Sequence, residues 1–211
     1  MSAAVVCGLF GMTTGPVLAV CLLRFGANLD PRHVQHRGVV VMLAGLVLLA
    51  CLGARRAGDP ALPAWCWLVA LGLVLAAIDW DCRRLPHPLT AALGFGGLIL
   101  LAAASAWLGE FGGLGRGVVA AAVVGVVTVV LHVVQPAGFG GGDAVLLPVL
   151  SLFLGYLGWE HLFRGIGLSI LLTGVVAVGL LVAGRARWGQ GAGFPAGPAL
   201  IAGALLIVIF H

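Results

Sequence analysis

Residues 115–159 read GRGVVAAAVVGVVTVVLHVVQPAGFGGGDAVLLPVLSLFLGYLGW, which is two long apolar runs separated by a glycine-rich link. An α-helix rises about 1.5 Å per residue, so about 20 apolar residues cross the roughly 30 Å hydrocarbon core of a membrane. The two runs, 115–135 and 143–159, therefore predict two transmembrane helices. The stretch GFGGG, residues 138–142, lies between them, and Asp143 opens the second helix.

The rest of the chain continues this pattern. Of its 211 residues, 62% are hydrophobic and only 9% are charged, whereas a soluble domain of this length needs a far larger charged share to cover its surface. We predict an all-α, polytopic membrane helical bundle of about eight transmembrane helices, forming a single domain, 1–211. The predicted spans are 3–25, 37–54, 63–80, 89–109, 115–135, 143–159, 163–184 and 195–210.

Composition and motifs exclude several classes of function. All eleven basic residues are arginines, and they lie in ones and twos between apolar runs, which is typical of loops flanking membrane spans and not of a nucleic-acid-binding patch. The five cysteines form no CxxC pair, so neither a zinc site nor a disulfide framework is predicted. The glycine-rich link lacks the lysine and hydroxyl of a phosphate-binding loop. We expect no metal, no cofactor and no nucleic-acid partner, and no cleavable signal peptide is apparent.

The arginines also predict the orientation of the chain in the membrane. Cytoplasmic loops carry an excess of basic residues. Seven arginines lie in the first, third, fifth and seventh links between predicted spans, and four lie in the other links. This bias places the odd-numbered links in the cytoplasm and both termini outside.

Three aspartates, Asp79, Asp81 and Asp143, lie at the ends of predicted spans in an apolar context. A charged side chain costs about 2.5–3.5 kcal/mol at the centre of a bilayer and less near its interface, so such residues usually face a protein interior or a water-filled cavity. Asp79 ends the third span and Asp143 opens the sixth. Because two spans lie between them, both aspartates are expected on the same face, which the arginines make the cytoplasmic one.

Each aspartate also has a structural interpretation. Asp143 can cap the sixth helix, because Asp is a favoured N-cap residue. Asp79 and Asp81 can anchor the third helix by pairing with Arg83 and Arg84. As a pair, however, Asp79 and Asp143 indicate peptide hydrolysis. Two carboxylates held close together in a partly desolvated site share one proton, so one can take a proton from water while the other polarises a peptide carbonyl.

The neighbouring residues fit this hydrolytic interpretation. Glycine has no Cβ, so the link before Asp143 would let a substrate backbone approach closely. Pro86 and Pro88 would end the third helix and bend the chain just after Asp79. His132, inside the fifth span, could line the same site, although a packed or hydrogen-bonded structural role is favoured for it.

Two motifs carry a resemblance to a known family. One is an aspartate followed seven residues later by proline, Asp79 to Pro86 in DWDCRRLP. The other is GxGD, here Gly140-Gly141-Gly142-Asp143, preceded by Gly138-Phe139. With two spans between them, the motifs resemble those of the type IV prepilin peptidases, membrane aspartyl proteases of the GxGD class, and the count of eight spans fits as well.

The resemblance implies a function and a site. It assigns the catalytic pair to Asp79 and Asp143. It gives supporting or substrate-binding roles to Gly138, Gly140, Gly142, Asp81 and Pro86. It implies a multi-pass protein of the inner, cytoplasmic membrane that cleaves short basic leaders from pilin-like precursors at the cytoplasmic face. Such precursors are single-helix membrane proteins, so they and the lipid bilayer are the expected partners.

The chain departs from the family pattern at three places. Val145 stands where a lysine is common, and His87 stands where Asn or Asp is common. The cysteine-rich zinc module between the first two helices of long members is replaced by residues 26–35. Long members also N-methylate the new terminus, and we do not expect that activity here.

Two other functions stay open on the sequence. A transporter could use Asp79 and Asp143 to bind a cation or relay protons where the backbone is broken by glycines, although the two halves show no convincing repeat. A non-catalytic assembly protein of a pilus or secretion system could retain both motifs as helix caps.

Overall fold

The computed structural model describes residues 7, 16–17, 20, 31–83, 85–135, 140–184 and 196–211. Within these ranges it contains seven α-helices and no strand, which confirms the predicted all-α class. The helices are α1 (Pro31–Arg55), α2 (Leu62–Cys82), α3 (His87–Leu108), α4 (Gly112–Val134), α5 (Gly141–Leu157), α6 (Trp159–Val182) and α7 (Gly197–Phe210). They correspond in order to the second through eighth predicted spans. The first predicted span, 3–25, lies mostly outside the described residues.

Five of these helices, α1, α2, α3, α4 and α6, are long and apolar enough to cross a membrane. The other two, α5 with 17 residues and α7 with 14, are apolar but shorter. The described part of the chain is therefore a multi-pass membrane bundle. The two short helices are those whose boundaries hydropathy defines least well, because a short apolar run provides fewer residues to average.

The ends of the helices follow from local backbone chemistry. At the end of α2, Arg83 adopts a left-handed conformation (φ 51°), and its N–H donates a hydrogen bond to the carbonyl of Asp79 at 2.8 Å. Pro86 then takes an extended conformation directly before α3. As the sequence predicts, the helix that carries Asp79 ends before Pro86. Gly109 ends α3 with φ 71°, a value that glycine adopts without strain.

The core of the bundle lies around α2 and α5. Helix α2 packs against α1, α3 and α7, and α5 packs against α3, α4, α6 and α7. Trp65 of α2 is fully buried, and its ring lies 6.2 Å from that of the buried Phe153 of α5. By contrast, α4 and α6 are the least buried of the candidate spans, and their exposed valines and leucines match the apolar surface that lipid requires.

Helices α4 and α5 approach each other most closely at small residues. A Cβ placed on Gly117 would lie 2.6 Å from the carbonyl oxygen of Leu152, and one placed on Gly155 would lie 2.7 Å from the Cβ of Ala120. No larger side chain fits at either position without moving the backbones apart. Small residues are the usual means by which helices pack closely in lipid.

Contacts between helices distant in sequence define the two ends of the bundle. At one end, Arg37 of α1 pairs with Asp81 of α2, and Gly197 of α7 contacts Asp79. At the opposite end lie the contacts Arg56 with Val208, Arg116 with Tyr156, and His161 with His211. The link before Asp143 belongs to the first end, because Gly142 packs against Leu85.

Candidate active site

Asp79 lies in the last turn of α2 and is buried, with 6% of its surface exposed. Its Oδ2 accepts a hydrogen bond from the backbone N–H of Gly197 at 2.9 Å. Gly197 is the first residue of α7 and is itself buried. A carboxylate at the C-terminal end of α2 lies at the negative end of that helix dipole, which is unfavourable. The N–H group at the positive end of α7 compensates for this repulsion.

Asp143 is the third residue of α5 and is half-buried. The N-cap position of this helix is occupied by Gly140, which is extended (φ −63°, ψ 135°), so the interpretation of Asp143 as the N-cap residue is wrong. Its carboxyl group lies back against the preceding turn, because Oδ2 is only 3.1 Å from the place where a Cβ on Gly140 would stand. Gly140 therefore makes room for the aspartate itself.

The structure brings the two carboxyl groups together at one end of the bundle, as the number of intervening spans predicts. They lie close enough for the charge of Asp79 to act on Asp143. The two groups come from different helices, the C-terminal end of α2 and the N-terminal end of α5. The arrangement therefore places two partly desolvated carboxyl groups within electrostatic reach of each other.

The glycines of the link have a packing role that the sequence did not indicate. A Cβ on Gly142 would lie 2.9 Å from Cδ1 of Leu85, a residue of the segment between Asp79 and Pro86. The places where a Cβ on Gly140 and on Gly142 would stand are thus next to Asp143 and Leu85, and the expected role of these glycines in admitting a substrate backbone stays a prediction. The close contact holds the two motifs against each other. Gly138 lies outside the described residues.

Asp81 lies on the same turn of α2 as Asp79 and is linked to α1. Its Oδ1 lies 3.3 Å from a guanidinium nitrogen of Arg37, and only 5% of its side chain is exposed. The sequence suggested Arg83 or Arg84 as its partner, but it did not suggest Arg37. Arg84 lies outside the described residues. The ion pair joins the ends of α1 and α2 next to Asp79.

Three further positions complete the surroundings of the pair. His132 of α4 is half-buried and faces the link, since a Cβ on Gly141 would lie 3.5 Å from its Cε1. The carbonyl of Pro86 accepts the N–H of Leu89 at 3.0 Å, which forms the first turn of α3. Val145, with 40% exposure, lies on the outer surface of α5.

Within the described ranges, no group of three or more His, Cys, Asp or Glu side chains is placed to hold a metal ion.

The sequence matches the type IV leader peptidase family over residues 66–183, more than half of the chain. The chain belongs to this family. No curated protein and no solved structure gives a match. Both Asp79 and Asp143 lie inside the matched region, whereas α7 begins after that region ends.

Two residues at the candidate site were not found from the sequence, Gly197 and Leu85. The pair Gly197-Pro198 at the start of the last apolar run is a signal for a helix N-terminus, since proline is favoured in the first turn. That signal gives the start of α7 but not the residue that it contacts. Leu85 is one of many leucines in the chain, and nothing in its spacing singles it out.

Proposed function

We propose that this member of the type IV leader peptidase family is an aspartic endopeptidase that uses Asp79 and Asp143 as its catalytic pair. One observation carries the proposal, namely that a buried and a half-buried carboxyl group from different helices lie within electrostatic reach of each other. Two such groups do not both ionise readily, so they hold one proton between them. This is the protonation state that aspartyl hydrolysis of a peptide bond requires.

The reaction then follows from the shared proton. The ionised carboxylate takes a proton from a water molecule, whose oxygen attacks the scissile carbonyl carbon, while the protonated carboxyl group donates a hydrogen bond to the carbonyl oxygen. The resulting tetrahedral species loses its C–N bond as the nitrogen receives a proton from the pair. The products are a new carboxyl terminus and a new amine terminus, and no group of the enzyme is consumed.

The proposed substrates are pilin-like precursors, each with a short basic leader followed by a membrane-spanning helix. The family description supports a leader peptide as the segment removed. Both aspartates lie at helix ends and not at helix centres, so a peptide bond at the edge of a substrate helix could reach them without unwinding the helix in mid-membrane. On the arginine bias, we propose that this edge faces the cytoplasm and that the membrane is the inner one.

The catalytic pair is tested by co-expression with a pilin-like precursor. We expect the wild type to remove the leader, and Asp79→Asn and Asp143→Asn each to lower the rate at least about a thousandfold, because removing a group that acts in proton transfer removes the mechanism. Glu110→Gln, at an exposed position between α3 and α4, is the matched control and is expected to cleave normally. Gel mobility and N-terminal sequencing of the product measure the cleavage.

Two results would contradict the proposal. Cleavage that persists in either Asp→Asn variant would exclude the paired mechanism. Failure of the wild type to cleave any pilin-like precursor would favour the transporter or assembly function, both of which the sequence left open.

A further inference from the structure

The N-terminus of α7 is in direct contact with Asp79 inside the bundle. The N–H of Gly197 donates to Oδ2 of Asp79 at 2.9 Å, across 118 residues of sequence. A Cβ on Gly197 would lie 2.8 Å from the same oxygen and 3.1 Å from Cγ. Only glycine allows the backbone of α7 to come this close to the carboxyl group without displacing it.

Helix α7 has no N-cap of its own at this point. The N-cap residue is Ala196, whose side chain offers no acceptor, and Pro198 in the first turn has no N–H. The buried N–H of Gly197 therefore needs an acceptor from elsewhere, since a buried backbone donor without a partner is costly. Asp79 of α2 is that acceptor.

The contact also acts on Asp79. A hydrogen bond from a backbone N–H at the positive end of a helix stabilises the negative charge of a carboxylate. It also occupies one of the two carboxylate oxygens and restricts rotation of the group. The proposed hydrolysis requires the carboxylate and the attacking water molecule to be correctly placed relative to each other. A fixed orientation of the carboxylate therefore lowers the activation barrier of the hydrolysis.

We propose that Gly197 is a positioning residue for the hydrolysis, one that holds the carboxyl group of Asp79 in a fixed orientation. The inference rests on the proposed function of the Asp79–Asp143 pair and extends the site to α7. The family match ends at residue 183 and does not include this helix.

The first test is the kinetics of Gly197→Ala. The added Cβ would push the Asp79 carboxyl group off the N–H, and we expect kcat to fall about ten- to a hundredfold, the effect of losing one hydrogen bond to a charged group. KM should stay within about twofold of the wild type, because the precursor does not need this contact to bind. Alanine is a better helix former than glycine, so a loss of helix propensity would not explain the result.

Gly203→Ala is the matched control in the same helix. Its Cβ would meet Ser169 of α6, about 9 Å further along the helix axis, and would disturb packing without touching Asp79. We expect a lower unfolding temperature with kcat close to the wild-type value. An unchanged kcat in Gly197→Ala, or an equal fall in kcat in both variants, would overturn the proposal.

A second measurement tests the contact even if Gly197→Ala does not fold. Hydrogen exchange of the peptide containing Gly197 is measured in detergent for the wild type, Asp79→Ala and Asp143→Ala. If Asp79 is the acceptor, exchange at Gly197 speeds up at least about tenfold in Asp79→Ala and not in Asp143→Ala. Equal exchange in the wild type and Asp79→Ala would overturn the proposal.

The failure of this inference can be distinguished from failure of the proposed function. If Asp79→Asn still cleaves the precursor, the catalytic pair is wrong and the role of Gly197 falls with it. If Asp79→Asn is inactive while Gly197→Ala keeps the wild-type kcat, the catalytic pair stands and only the positioning role is lost.

Discussion

At the scale of single residues, the contact between Gly142 and Leu85 joins the two motifs around the aspartates. Leu85 lies six residues after Asp79, and Gly142 lies one residue before Asp143. Because there is no Cβ at Gly142, the leucine side chain can fill that space. The position of Asp143 relative to Asp79 therefore depends on the absence of a side chain at Gly142.

We expect Gly142→Ala to lower the cleavage rate about tenfold, because its Cβ would meet Leu85 and shift the start of α5 relative to α2. Shortening the Leu85 side chain should remove this clash. The double variant Gly142→Ala with Leu85→Ala should therefore cleave at a rate within about threefold of that of Leu85→Ala alone. Gly141→Ala is the control, since its Cβ would make only an ordinary 3.5 Å contact with His132. Initial rates of leader removal measure each variant, and a double variant no better than Gly142→Ala would contradict the steric explanation.

At the scale of helices, the close approach of α4 and α5 determines where Asp143 lies. The exposed face of α4 is rich in valine, and its buried contacts are made mostly by small residues such as Gly117 and Ala120. Thr128 adds a polar contact, because its hydroxyl donates to the carbonyl of Ala144, next to Asp143, at 3.0 Å. The α4–α5 interface is therefore expected to tolerate little increase in side-chain size.

Gly117→Ala should destabilise the protein by about 1–3 kcal/mol, since the new Cβ would overlap the backbone carbonyl of Leu152, which cannot move independently. Gly115→Ala, two residues earlier on the same helix, meets nothing within 4 Å and should have no measurable cost. Unfolding of the purified proteins in detergent, followed by temperature or denaturant, compares the two. Equal stability of the two variants would show that α4 and α5 are not as close as the structure places them.

At the scale of the whole molecule, the candidate site lies at one end of the bundle. One end holds Asp79, Asp143 and the start of α7, and the other holds Arg56, whose guanidinium donates to the carbonyl of Val208 at 3.0 Å. The arginine bias of the sequence predicts that the aspartate end faces the cytoplasm.

Single cysteines placed in a cysteine-free background test this orientation. His87→Cys, exposed at the aspartate end, should be labelled by a membrane-impermeant maleimide only after the cells are opened. Glu110→Cys, exposed at the opposite end, should be labelled in intact cells. The cysteine-free parent must retain leader cleavage. The reverse labelling pattern would place the aspartates on the outer face and exclude cleavage in the cytoplasm.

The sequence by itself determined the class and order of the helices. Hydropathy depends on the local composition of the chain, so runs of apolar residues were sufficient to locate α1 to α7. The even number of predicted spans between Asp79 and Asp143 was likewise sufficient to predict that the two aspartates lie at the same end of the bundle. The two motifs were also enough to indicate the family.

Only the tertiary structure decided which side chains and backbone groups meet. It showed that Asp79 accepts the N–H of Gly197, that Gly142 packs on Leu85, and that Asp81 pairs with Arg37. These contacts join residues far apart in the chain, and they depend on how helices pack and rotate against one another. Hydropathy contains no information on rotation about a helix axis when the helix is apolar on nearly all sides, and for this reason the partners of Asp79 could not be read from the sequence.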